Sequence, residues 1–203
     1  MILFPRIIMP FLIPYLIISC SKTMDVPLPI TSSNEKALEL YTRGYNHLSQ
    51  NEGLEAKNLF EQALSLDPEL ILANLYVPET DPNKRKKYRD HAIANKNNGS
   101  EAERLRVNMY VADRDGRLID AVNSSKELVN KYPNSSEAYT ILGNAYTAVQ
   151  DFDNAIAQYN KALTINSKQY LAWRGLASHQ VKIGGNLLLP KNRQSKGLAL
   201  TYT

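Results

Sequence analysis

The sequence predicts an all-α fold, a solenoid of antiparallel helix hairpins, on three observations. Small and apolar residues recur at steps of three and four in paired segments, which puts each set on one face of a helix. The pairs recur at a fixed offset, with Ala102 standing 34 residues before Ser136 at the head of a related grid, and a fixed period of that size marks a repeat architecture. Glycine is sparse, at 9 of 203 residues, while Ala, Leu, Lys, Glu and Asn dominate the middle, as in a helical protein. The formal net charge of +4 is mild and gives no concentrated basic face of the kind nucleic acid needs. Cys20 is the only cysteine, which excludes a disulfide framework and a cysteine-rich zinc site.

Residues 1–19, MILFPRIIMPFLIPYLIIS, carry one positive charge, Arg6, and an apolar stretch from Ile7 to Ile18 broken by Pro10 and Pro14. That is short of the roughly 20 residues a spanning helix needs and reads as a secretory signal. Its end, Ile17-Ile18-Ser19-Cys20, resembles the bacterial lipobox. The resemblance implies cleavage before Cys20, a diacylglyceryl group on its thiol, and a lipid-anchored place at the cell envelope. Ser21 in place of an aspartate points, by the same resemblance, to the outer membrane, facing the periplasm or the surface. An uncleaved membrane anchor and an ordinary cleaved signal stay open. Residues 20–33 hold two prolines and no helical period, so they read as a lipidated tether.

The repeat domain is expected over residues 34–183. Its sharpest copy is Tyr139–Leu163. Tyr139, Leu142, Gly143 and Tyr146 share one helix face, and Ala155, Tyr159 and Ala162 share the next. Gln150-Asp151-Phe152-Asp153 breaks them, with Asp151 or Asp153 able to cap the second helix. Gly143 and Ala155 are small where two helix axes approach closely. The spacing resembles the tetratricopeptide repeat, with Ser167 in place of the closing proline. Gly44, Ala56, Phe60, Ala63 and Pro68 repeat the grid in Ala37–Leu70, with Arg43 for the usual leucine and His47 for a core tyrosine. The copy from Ala102 keeps Leu105, Gly116, Ala121, Leu128 and Pro133, while Met109 and Ser125 replace the glycine and the aromatic. Ser100 with Glu103 makes a capping box there, and Ser32 with Glu35 is a candidate for the first copy.

Between these copies Pro78, Asp81 and Pro82 end one helix, and KRKKYRDHAIANKN starts another, a divergent pair with a shortened first helix. A last copy begins near Tyr170 with Trp173, Leu176 and Ala177, after which Leu189 and Pro190 break the pattern. Residues 184–203 read as an irregular tail.

The resemblance implies a right-handed superhelix whose first helices line a concave groove for a protein or peptide partner. Carried over by position, the groove residues are Tyr41, Tyr45 and Leu48, then Arg106 and Tyr110, then Thr140, Asn144 and Thr147, then Arg174 and Ser178. The tyrosines suit contact anchors, and Asn144 with Arg174 suits a peptide backbone or carboxylate. Each is also explained as a solvated polar residue on an open face. His47, His91 and His179 share no ligand spacing, and no nucleophile elbow, phosphate loop or carboxylate pair occurs, so neither catalysis nor a cofactor is expected. The Lys84–Lys87 run with Arg89 reads as a solvated helix start. The expected function is a non-catalytic scaffold or adaptor at the envelope. The alternative is a sensory or regulatory accessory module, part of a longer repeat protein with an effector domain beyond the broken last copy.

Overall fold

Three of the helix pairs turn in the same way, and that turn sets the architecture. Helix α1 (Glu35–Ser49) is followed by a turn at Asn51, α5 (Glu101–Arg114) by one at Gly116 and α7 (Ser136–Ala148) by one at Gln150. Each of these residues takes a positive φ, of 64°, 72° and 61° in turn. In each, two backbone N–H groups fold back on the last helical carbonyls: Asn51 to Leu48 and Glu52 to His47, Gly116 to Asp113 and Arg117 to Ala112, Gln150 to Thr147 and Asp151 to Tyr146. This Schellman closure satisfies the orphaned carbonyls and reverses the chain within a few residues. The partners α2 (Gly53–Leu66), α6 (Leu118–Lys131) and α8 (Phe152–Ile165) therefore run back antiparallel.

The computed structural model describes residues 24–183, and Cys20, Gly184, Gly185, Leu189 and Pro190 lie outside the described residues. Among the described residues there are nine helices and no strand. The divergent pair is as expected: α3 (Ile71–Tyr76) has 6 residues and α4 (Pro82–Ala94) has 13. Pro82 sits at the first turn of α4, where its missing N–H costs nothing, and Asp81 caps it by accepting from Asn83 N–H and Lys84 N–H at 2.8 and 3.2 Å. Helix α9 (Tyr170–Ile183) closes the described chain. Each helix packs on the next, and α3 also meets α5 and α7 meets α9, so the first helices of successive pairs line one side.

The core is a chain of clusters rather than one centre, as stacked repeats require. Tyr41, Phe60, Leu70, Leu72, Leu75 and Val107 are buried in one. Ala102, Leu105, Leu128 and Ala138 form the next, Val122, Leu142 and Ala145 a third, and Ala155, Tyr159, Ala162, Ala172 and Leu176 the last. The small residues sit where expected. A Cβ on Gly143 would meet the Tyr159 ring at 2.5 Å, and one on Gly44 would meet the Phe60 ring at 3.1 Å. One further close contact adds to these: a Cβ on Gly175 of α9 would also meet the Tyr159 ring, at 2.4 Å.

Local expectations need three corrections. The Ser100–Glu103 capping box is formed in both directions, but α1 is capped by Asn34, which accepts from Ala37 N–H at 3.1 Å, and not by a Ser32–Glu35 box. His47 is not a core residue. It lies in the last turn of α1, half-buried, with its ring against the Glu52 carboxylate. Residues 24–33, read as part of a free tether, are instead seated on the repeats. The Asp25 carboxylate accepts from Ser136 N–H, the Ser136 hydroxyl and the Asn166 amide at 2.8, 2.7 and 2.8 Å. Leu28 is buried with Ala102, Leu105 and Ala138, and Ser32 and Ser33 donate to Asp67.

Candidate functional site: the inner face of the first helices

The inner face is built around a buried arginine. Arg106, on α5, is 2% exposed. Its guanidinium lies 5.3 Å from the centre of the Tyr45 ring and 5.1 Å from that of Tyr76. Nε donates to the Tyr76 hydroxyl at 3.1 Å, and Nη1 pairs with Glu137 of α7 at 3.0 Å. Tyr41 stacks on Tyr45 at 6.0 Å and tilts against Phe60 at 5.7 Å. Burial works against the charge on Arg106, but Glu137 and the three tyrosines outweigh it and hold the group protonated. Burial pushes the Tyr41 and Tyr45 hydroxyls well above their ordinary range, with Arg106 opposing. One cation thus ties α1, α3, α5 and α7 together through ring faces and a carboxylate.

The groove set separates accordingly. Tyr41, Arg106 and Thr140 are buried, at 2, 2 and 1% exposure, so they build the wall rather than present an open contact. The Thr140 hydroxyl is spent on the Ser136 carbonyl at 2.8 Å. Tyr45, Leu48, Tyr110 and Thr147 are half-buried, and Asn144, Arg174 and Ser178 are exposed. Asn144 Oδ1 accepts from the Tyr159 hydroxyl at 2.8 Å, and Thr147 shares that hydroxyl at 3.1 Å. Arg174 does not turn to Asn144. Its Nη1 donates to the Ser49 carbonyl at 2.9 Å and reaches Asn51 Oδ1 at 3.3 Å, joining α9 to the α1–α2 turn. Asn144 and Arg174, read together as suited to a peptide backbone or carboxylate, thus bond to different partners.

Between α1, α7 and α9 lies a cleft of about 240 Å³. Tyr41, Tyr45, Thr140 and Asn144 of the expected set line it, together with Asn46, Glu137 and Gln169, and with Asp25, Pro27, Leu28 and Ile30 from the seated segment. The Tyr41 hydroxyl is a buried group without a hydrogen-bond partner. Sequence reasoning missed Glu137, Tyr76 and Asn46. Glu137 carries a signal in hindsight, since it stands one turn before Ile141 on the inner side of α7, but α3 is too short to show a register for Tyr76.

The basic run is mixed. Lys84, Arg85, Lys86 and Lys87 are exposed at the start of α4, with Lys86 paired to Asp90, as a solvated helix start requires. Arg89 departs from that expectation. It donates to the Asn74 and Val77 carbonyls at the end of α3 and covers the Tyr110 ring at 5.7 Å. Among the described residues no helix is long and apolar enough to cross a membrane, and no three His, Cys, Asp or Glu converge as a metal site.

Comparison with known proteins agrees with the hairpin geometry where the copy is sharpest. The family model of the tetratricopeptide repeat matches residues 136–169. A comparison with curated proteins gives no match. Among solved structures, a tetratricopeptide repeat protein from Parabacteroides merdae is 18% identical, with a TM-score of 0.42, over 74% of this chain and 61% of that one. The first repeat domain of Spaghetti, bound to an HSP90 peptide, is 16% identical, with a TM-score of 0.34, over 74% of this chain and 95% of that one. The Sgt2 repeat domain from Aspergillus fumigatus is 17% identical, with a TM-score of 0.33, over 81% and 95%. Helices α7 and α8, with the turn that joins them, are thus the part of the chain that matches the tetratricopeptide repeat.

Proposed function

We propose that the chain is a non-catalytic scaffold that holds an extended segment of a partner protein on the inner face of its first helices, at the cell envelope. The observation that carries the docking half is the convergence of tyrosine, amide and hydroxyl groups from α1, α7 and the turn before α9 on one cleft. Aromatic rings supply area at low entropic cost, and the amides and hydroxyls supply donors and acceptors for a backbone. Arg106 is neutralised by Glu137 and leaves no free cation of its own on the inner face for a partner.

The docking half is tested with a partner recovered from membranes by the full chain. Asn46→Ala, a change at an exposed cleft residue, is expected to weaken binding about tenfold, roughly 1.4 kcal/mol, with the thermal midpoint little changed. Unchanged affinity removes the inner face from the binding surface. The envelope half rests on the lipobox resemblance of Ile17–Cys20. Cys20→Ser is expected to abolish incorporation of labelled palmitate, and a variant that is still labelled would end the lipid-anchor reading.

A further inference from the structure

We infer that residues 25–33 are a displaceable ligand held in cis, a latch that forms one wall of the inner cleft and must leave before an extended partner can lie along it. This builds on the docking function proposed above and states what controls it. The segment is neither helix nor strand, yet successive residues are gripped by successive repeats. Asp25 is held by Ser136 and Asn166, and Val26 N–H donates to the Asn134 carbonyl at 2.9 Å. Leu28, 3% exposed, fills a socket of Ala102, Leu105, Leu128 and Ala138.

Further along, the Ser100 hydroxyl donates to the Pro29 carbonyl at 2.7 Å, and Thr31 N–H donates to Glu103 at 3.0 Å. Ser32 and Ser33 end on Asp67. These are sockets for a carboxylate, an aliphatic side chain, a carbonyl and hydroxyls, spaced along an extended backbone. The class of ligand they fit is an extended peptide with an acidic residue, an aliphatic residue three positions on, and hydroxyls beyond.

The hold is local. Side chains and helix caps make it rather than a continuous sheet ladder, and Met24 and Val26 stand out at 82 and 46% exposure. A segment held in this way opens without unfolding the helices beneath it. Size gives the opening a purpose. A cleft of about 240 Å³ is smaller than the roughly 300–1,000 Å³ of sites that take even a drug-sized ligand, and a peptide of several residues needs more. Removing the wall made by Asp25, Pro27, Leu28 and Ile30 turns the cleft into an open trough along α1 and α7.

The test uses the full chain with Cys20→Ser, so that Thr140→Cys, 1% exposed in the cleft wall as threonine, is its single thiol. Maleimide labelling of this thiol is expected to be slow with the latch seated. It should rise at least about tenfold when Leu28→Asp puts a charge in the apolar socket, and by less with Asp25→Asn. Circular dichroism reads whether the helices persist; if Leu28→Asp unfolds them, Asp25→Asn decides alone. A fluorescein-labelled peptide of residues 24–33 should bind Leu28→Asp and not the chain with its own latch in place. Equal labelling rates with helicity intact, or equal peptide binding by both chains, would overturn the latch. If the released chain labels fast and takes the peptide but no partner binds the opened cleft, the latch stands and the docking function falls.

Discussion

Tyr159 shows how single residues fix this structure. Its ring lies against both Gly143 of α7 and Gly175 of α9, and its hydroxyl joins Asn144 and Thr147. The two glycines are absent side chains in the literal sense: any Cβ would enter the ring. Gly143→Leu is therefore expected to destabilise the chain by about 1–3 kcal/mol through overpacking, read as a lower thermal or denaturant midpoint. An unmoved midpoint would mean the α7–α8 contact is looser than the ring distances say. Gly143 was legible because it stands in a dense pattern of small and aromatic residues. Gly175 was not, since its copy departs from the grid and the nominal small position there is Ala177. His47 misled for a related reason. Its place in the grid is a core place, but an imidazole near a helix end gains more from the Glu52 carboxylate and from water than from burial.

The helices were legible where caps and period agreed. Asp81-Pro82, the Ser100–Glu103 box and the turn at Gly116 each encode a boundary in local chemistry, and each lies where the residues place it. Gln150 takes the left-handed turn that glycine takes at 116, because the Schellman bonds and the α7–α8 packing outweigh its strain. The loop between α3 and α4 is set by long-range contacts that no local pattern carries. Glu79, 5% exposed, accepts from Asp81 N–H at 2.9 Å and pairs with Lys57 of α2 at 2.9 Å. Those bonds, the Asp81 N–H first and then Lys57, hold its carboxyl down at about 2. The segment before α1 was misread for the same reason. Two prolines and no period do describe an extended chain, but whether it floats or is gripped depends on Ser136, Glu103 and Asp67, which lie far away in sequence.

Across the whole molecule, the order of hairpins followed from the repeat, while the state of the groove did not. A stack of helix pairs leaves its first helices on one side, and that much follows from burying each pair against the next. The closure does not follow. Arg106 fills the middle of the inner face and Arg174 ties α9 to the α1–α2 turn, so part of the channel is occupied by the chain's own side chains. What remains accessible is the cleft between α1, α7 and α9 with the seated segment as its wall. Docking at that cleft is read most directly by site-specific photo-crosslinking of the full chain in its own cells. A photoreactive side chain in place of Asn46, on the inner cleft, should trap a partner through a short extended segment, and one in place of Lys161, exposed on α8 and outside the cleft lining, should trap none. Adducts from position 161 with none from position 46 would contradict a scaffold that works through its inner face.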